Sequence, residues 1–175
     1  MNTEKTFETG LVWFRRDLRQ QDHTALHQAL RQCRQVHCAF VFDSDILSPL
    51  PKADRRVEFI LESVRALDRA LCQLAGRGHG GLIVLHGRPC DVLAPLAREL
   101  GVQAVFANHD DEPSALARDA AVAAQLGAWG IAWQSFKDHV IFERHELLTG
   151  TGQPYRVFTH YKNAWLKRLN SADME

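Results

Sequence analysis

Leu11-Val12-Trp13-Phe14-Arg15-Arg16-Asp17-Leu18-Arg19 is the stretch from which the fold is read. An apolar run ends abruptly in charge, and Asp22 then stands before Thr24-Ala25-Leu26 where a helix N-cap belongs. Strand, loop and helix in that succession open an α/β domain. A helix is expected over residues 24–33, followed by a second strand, 36–42, that stops at Asp43. From about 54 to 75, Val57, Ile60, Leu61, Val64, Leu67, Leu71 and Leu74 recur at spacings of three and four, the period of one helix face, with Gly76 and Gly78 as its end.

The alternation continues. Leu82-Ile83-Val84-Leu85 reads as a short third strand closed by Gly87, and a helix over about 91–100 follows, with Pro95 blurring its start. A fourth strand, 103–107, leads through Asn108-His109-Asp110-Asp111-Glu112-Pro113 into an Ala-rich helix that Gly127 should terminate, and a fifth strand spans 131–136. Strands without a polar face that alternate with helices imply a parallel sheet covered on both sides. The expected fold is therefore α/β: a doubly wound, Rossmann-like sheet of about five strands over residues 8–137, with a C-terminal connector over 138–175. No G-x-G-x-x-G follows the first strand, which argues against a dinucleotide held by a glycine fingerprint.

Composition narrows the function classes. Lys+Arg and Asp+Glu are equal at 21 each, so the chain lacks the basic excess of a principal DNA-binding surface. No apolar run approaches the ~20 residues of a membrane span, and there is no signal-peptide core, so a soluble cytoplasmic protein is expected. Cys33, Cys38, Cys72 and Cys90 show no zinc-type spacing, and packing is the expected role of all four. Neither a Ser/His/Asp triad nor a metal cluster is evident, and His37 inside an apolar strand is expected to be a core residue.

Open α/β sheets bind ligands at the carboxyl ends of strands where the winding reverses. For a strand order 3-2-1-4-5 the loops at that reversal are 14–19 and 108–112, both rich in charge and hydrogen-bonding groups. A bracing role, with arginines paired to Asp17 and Asp22, is the alternative to ligand binding, and is the expected role of Asp17 and Arg19.

The opening stretch resembles the V-W-F-R-x-D-L-R, D-N, A-L signature of the DNA photolyase and cryptochrome family, with Asp22-His23 in place of Asp-Asn. Near the other end, Gly152-Gln153-Pro154-Tyr155-Arg156-Val157-Phe158-Thr159, with Trp165 after it, is similar to the family's interdomain G-x-P-Y-x-V-F-T-P-F motif; His160 and Tyr161 replace Pro and Phe. A helix over 161–169 is expected there, and Val157, Phe158, Tyr161 and Trp165 need a covering surface. In motif the chain is nearest the bacterial photolyases that act on cyclobutane pyrimidine dimers.

The resemblance implies the antenna domain of a deoxyribodipyrimidine photo-lyase, an enzyme in its full-length form. Its FAD and its contacts with DNA containing pyrimidine dimers would lie mainly in a helical domain beyond Glu175, leaving no catalytic residue and no metal site in this chain. A monomer is expected at full length. The matching domain of a cryptochrome light receptor, and an unrelated nucleotide-binding module, remain as alternatives. Candidate antenna contacts are Phe14, Arg15, Phe42, Arg56, Asn108, Asp110 and Glu112. Folate-using members carry Glu-Val-Asn-Glu where this chain has Glu112-Pro113-Ser114-Ala115, so a deazaflavin or FMN is expected in preference to methenyltetrahydrofolate.

Overall fold

A computed structural model describes residues 5–76 and 80–173 of the chain. They form two compact units, one ending at Phe136 and the other beginning at Lys137. The first is built on five parallel strands, β1 (Phe7–Phe14), β2 (Cys33–Asp43), β3 (Ile83–Gly87), β4 (Ala104–Asn108) and β5 (Ala132–Phe136), in the order β3-β2-β1-β4-β5. The winding reverses beside β1, in the order that the family resemblance implies.

Alternation along each strand sends side chains to opposite faces, and each face carries its own core. Leu11, Trp13, Val41 and Val105 pack under α4 (Pro89–Glu99) and α5 (Pro113–Ala128), which contribute Leu93, Ala97, Val122 and Leu126. Val12, Phe14, Cys38 and Phe106 pack under α1 (Thr24–Gln32) and α3 (Arg55–Ala75), through Leu26, Ala29, Leu67 and Leu71. Gly10 permits close approach in the middle of β1: a Cβ there would stand 2.5 Å from Cys33 Sγ.

Several boundaries differ from expectation, each for a local reason. The residue that caps α1 is His23, whose ring accepts the Leu26 N–H, while Asp22 adopts a left-handed φ of 49° and turns the chain before the helix. α1 passes into β2 at Cys33 without a connecting loop, because Cys33 is at once the helix C-cap and the first strand residue. A four-residue helix, α2 (Ser44–Leu47), follows β2, capped by Asp43. α4 begins at Pro89 and contains Pro95, which forgoes one intrahelical bond. α5 runs past Gly127, and Gly130, at φ 70°, supplies the left-handed turn instead. Gly76 ends α3, and Gly78 lies outside the described residues. Cys72 is exposed rather than packed, and His37 is only half buried.

In the second unit, α6 (Phe158–Arg168) starts three residues earlier than its expected first residue, Tyr161. Trp165 packs edge-on against Phe142, and Tyr155 against Tyr161, whereas Val157 and Phe158 are exposed. Lys137 bonds Glu146 and the Ile141 carbonyl, closing the loop that opens this unit.

Candidate functional site

The turn after β1 is locked from inside. Asp17 Oδ1 accepts the Arg15 N–H at 2.8 Å, and the Asp17 carbonyl accepts the Arg19 N–H at 2.7 Å. The other carboxylate oxygen, Oδ2, accepts from Asn108 Nδ2 at 2.7 Å and from His23 Nε2 at 2.9 Å. Asn108 Oδ1 in turn accepts the Ala25 N–H at 2.9 Å. Since His23 Nδ1 receives the Leu26 N–H, the proton of the neutral ring resides on Nε2, facing Asp17.

Asp17, His23 and Asn108 are the buried polar residues among those described. They join the turn after β1, the start of α1 and the end of β4 into one network. A buried carboxylate is tolerable only when its oxygens are satisfied, and here both are. Burial alone would raise the Asp17 pKa. The hydrogen bond from His23, with the Arg15 N–H and the Asn108 amide, outweighs burial and holds the carboxyl far below the usual carboxylate range.

Beside this network, at the carboxyl ends of β1 and β2, lies a cleft of about 520 Å³. One wall is apolar and partly aromatic: Phe40, Phe42, Ile46, Leu47, Phe59 and Ile60. The charged part of the lining carries Arg15, Arg16, Asp110 and Arg118, and Trp13 also belongs to the lining. The cleft is displaced from the expected β1/β4 crevice toward β2, because α2 and the first turns of α3 supply the apolar wall.

The charged wall is internally paired. Arg15, only 7% exposed in its side chain, donates to Asp119 Oδ2 of α5 at 2.5 Å. Arg118 donates to Asp119 Oδ1 through Nε and Nη2, at 3.0 and 2.9 Å. One carboxylate thus bridges two guanidinium groups. Both guanidinium carbons lie 5.0 Å from the ring centroid of Trp13, within cation–π reach. Arg16, at 57% side-chain exposure, reaches Asp110 and Glu112, each at 3.3 Å.

Of the residues singled out from sequence, Arg15, Phe42 and Asp110 line the cleft together. Glu112 stands outside the lining and joins it through Arg16. Phe14 is fully buried on the α1 side, its ring 4.6 Å from that of His23, and it does not line the cleft. Asn108 is fully buried with its amide committed, a structural tie between loops. Arg56 is held at the start of α3 by Asp54 and is not part of the lining.

Trp13, Phe59, Arg118 and Asp119 were not singled out from sequence. A signal existed for two of them, since Arg118 and Asp119 are the sole charged residues in the Ala-rich α5. Phe59 also stands apart, falling outside the apolar stripe of α3. Arg19 braces the turn through the Asp22 carbonyl. Among the described residues no helix is long and apolar enough to cross a membrane.

A DNA photolyase family profile matches residues 10–175. The chain belongs to the DNA photolyase family, and its five-stranded α/β fold matches the N-terminal domains of those proteins. The deoxyribodipyrimidine photo-lyase of Synechococcus sp. is 33% identical over 155 residues, which cover 89% of this chain and 31% of that protein. The class III photolyase of Agrobacterium tumefaciens superposes with a TM-score of 0.79 at 28% identity, over 97% of this chain and 34% of that structure. The archaeal photolyase of Sulfolobus tokodaii, solved with two FAD molecules and described as implying a novel light-harvesting cofactor, superposes with a TM-score of 0.73 at 27% identity, over 89% and 34%. The chain spans about a third of the length of these relatives.

Proposed function

We propose that this chain is the antenna-chromophore domain of a light-driven deoxyribodipyrimidine photo-lyase that repairs pyrimidine dimers in DNA. Its cleft takes a flavin-like antenna, a deazaflavin or FMN, rather than methenyltetrahydrofolate. The observation that carries this is the cleft itself: about 520 Å³, lined by aromatic and aliphatic side chains together with charged ones. That volume suits a drug-sized planar ligand, and such sites combine apolar lining with a few placed polar groups.

The first turn of α5 supports the exclusion of folate. Where folate-using members offer Asn and Glu to a pterin, this chain has Ser114 and Ala115, and the Ala115 side chain is buried in the fold. Each pterin group left unpaired would forfeit about 1–3 kcal/mol. In this reading FAD and the DNA lesion bind a helical domain, the dimer is flipped out to meet the flavin, and this chain contributes light capture without a catalytic residue. The whole protein acts as a cytoplasmic monomer.

The test is repair by the full-length protein of an oligonucleotide carrying a thymine dimer, in blue light and in darkness. Chromophore competition is followed alongside, by absorbance and by energy transfer to FAD. Light-dependent repair with a flavin-type antenna is expected. Absence of repair together with intact flavin photoreduction would point to a cryptochrome, and tighter folate binding would overturn the antenna assignment.

A further inference from the structure

Resting on the antenna reading of the cleft, we infer that its ligand is recognised through its ring and neutral polyol chain, and that the site makes no use of a phosphate. Four cationic side chains line the cleft: Arg15, Arg16, Arg19 and Arg118. Each guanidinium has an acceptor within the chain. Asp119 bridges Arg15 and Arg118, Asp110 and Glu112 hold Arg16, and Arg19 is folded back onto the Asp22 carbonyl. Asp43, on the apolar side, adds a further negative charge to the lining.

Backbone donors are committed in the same way. The N–H groups that open a turn or helix around the cleft are the usual cradle for a phosphate. Here the Arg15 N–H is held by Asp17 and the Asp45 N–H by Asp43. A carboxylate of this chain thus occupies both of these positions, where a phosphate oxygen could otherwise bind. A phosphate seated on these groups would displace one of these acids. The displaced acid would then be left without its partner, and for Asp119, at 15% side-chain exposure, it would be left largely out of water. An uncharged ring against Phe42 and Phe59 displaces none of them.

Riboflavin and FMN differ only by the phosphate, which makes them the probes. Each is titrated into the full-length protein with its catalytic site already filled by FAD, and binding is followed by flavin fluorescence. The native protein should bind the two within about fivefold of each other; FMN tighter by a larger factor would overturn the inference while sustaining the flavin reading. Asp119→Asn releases the charge of Arg15 and Arg118, and it should raise the FMN-to-riboflavin affinity ratio by about tenfold, the scale of one charge-assisted contact. Riboflavin binding by the variant reports that its cleft is intact, so an unchanged ratio would overturn the role given to the paired arginines. Failure of both flavins to bind the native protein would overturn the antenna reading and this inference with it.

Discussion

The Nε2 atom of His23 lies 2.9 Å from Asp17 Oδ2, with both side chains closed off from water. The same ring caps α1 at Leu26, so one side chain satisfies a buried carboxylate and an orphan helix N–H together. His23→Ala removes both functions and should destabilise the fold by about 2–4 kcal/mol. His23→Asn keeps a capping oxygen and should cost clearly less. Urea unfolding of the two variants tests this, and equal losses would mean the cap contributes nothing.

Acid stability should carry the mark of Asp17. Its carboxyl is held far below the ordinary range in the folded chain, whereas in the unfolded chain it titrates near ~3.9. A depressed folded value means the stabilisation is complete above the unfolded pKa and is lost as pH falls below it. Stability should therefore decline from about pH 5 downward, with Asp17 contributing up to ~1.4 kcal/mol per pH unit. Asp17→Asn should be less stable at neutral pH yet show a shallower acid slope between pH 5 and 3. Matching slopes in the two proteins would contradict the assignment.

Thiol reactivity should separate two cysteines. Burial pushes the Cys38 thiol up to about 12, so at pH 8 only about one in ten thousand of its molecules is thiolate, and that one is shielded. Cys72 is exposed on α3. Alkylation of the native protein followed by peptide mapping should label Cys72 first and Cys38 only after unfolding. Early labelling of Cys38 would show that β2 opens readily.

Ligand binding and stability should come apart at Phe59. The side chain lines the cleft yet is 74% exposed, so Phe59→Ala should change stability by less than about 0.5 kcal/mol while weakening flavin binding. Removing Asp110 and Glu112 together as alanines should also weaken the antenna, because Arg16 loses both groups that position it over the cleft. Unaltered flavin affinity in either variant would place the antenna elsewhere.

The strands were legible in sequence because most carry an apolar run closed by a charged residue or glycine, and their order followed from the family resemblance that β1 carries. The position of the cleft was not, for it depends on α2 and Phe59, which approach β2 only through tertiary packing. Asn108 shows the same limit from the other side. An Asn after a strand reads equally as a ligand contact or as a tie, and only its bonds to Ala25 and Asp17 decide for the tie. His23 was counted as a departure from a motif, whereas it is the cap. A histidine cap is harder to read than Ser, Asp or Asn, since its accepting nitrogen depends on the tautomer.

The direct passage from α1 to β2 at Cys33 leaves no slack in the chain. One residue inserted there would either turn the helix by about 100° about its axis or shift β2 by one place, exchanging its two faces. The first would turn Ala25, Leu26 and Ala29 away from the sheet, and the second would exchange Ala39 and Val41 with Cys38 between the opposite cores. Length variation should be rejected at this junction and accepted in the exposed turn before α3, making the first helix a fixed gauge against which the sheet is set.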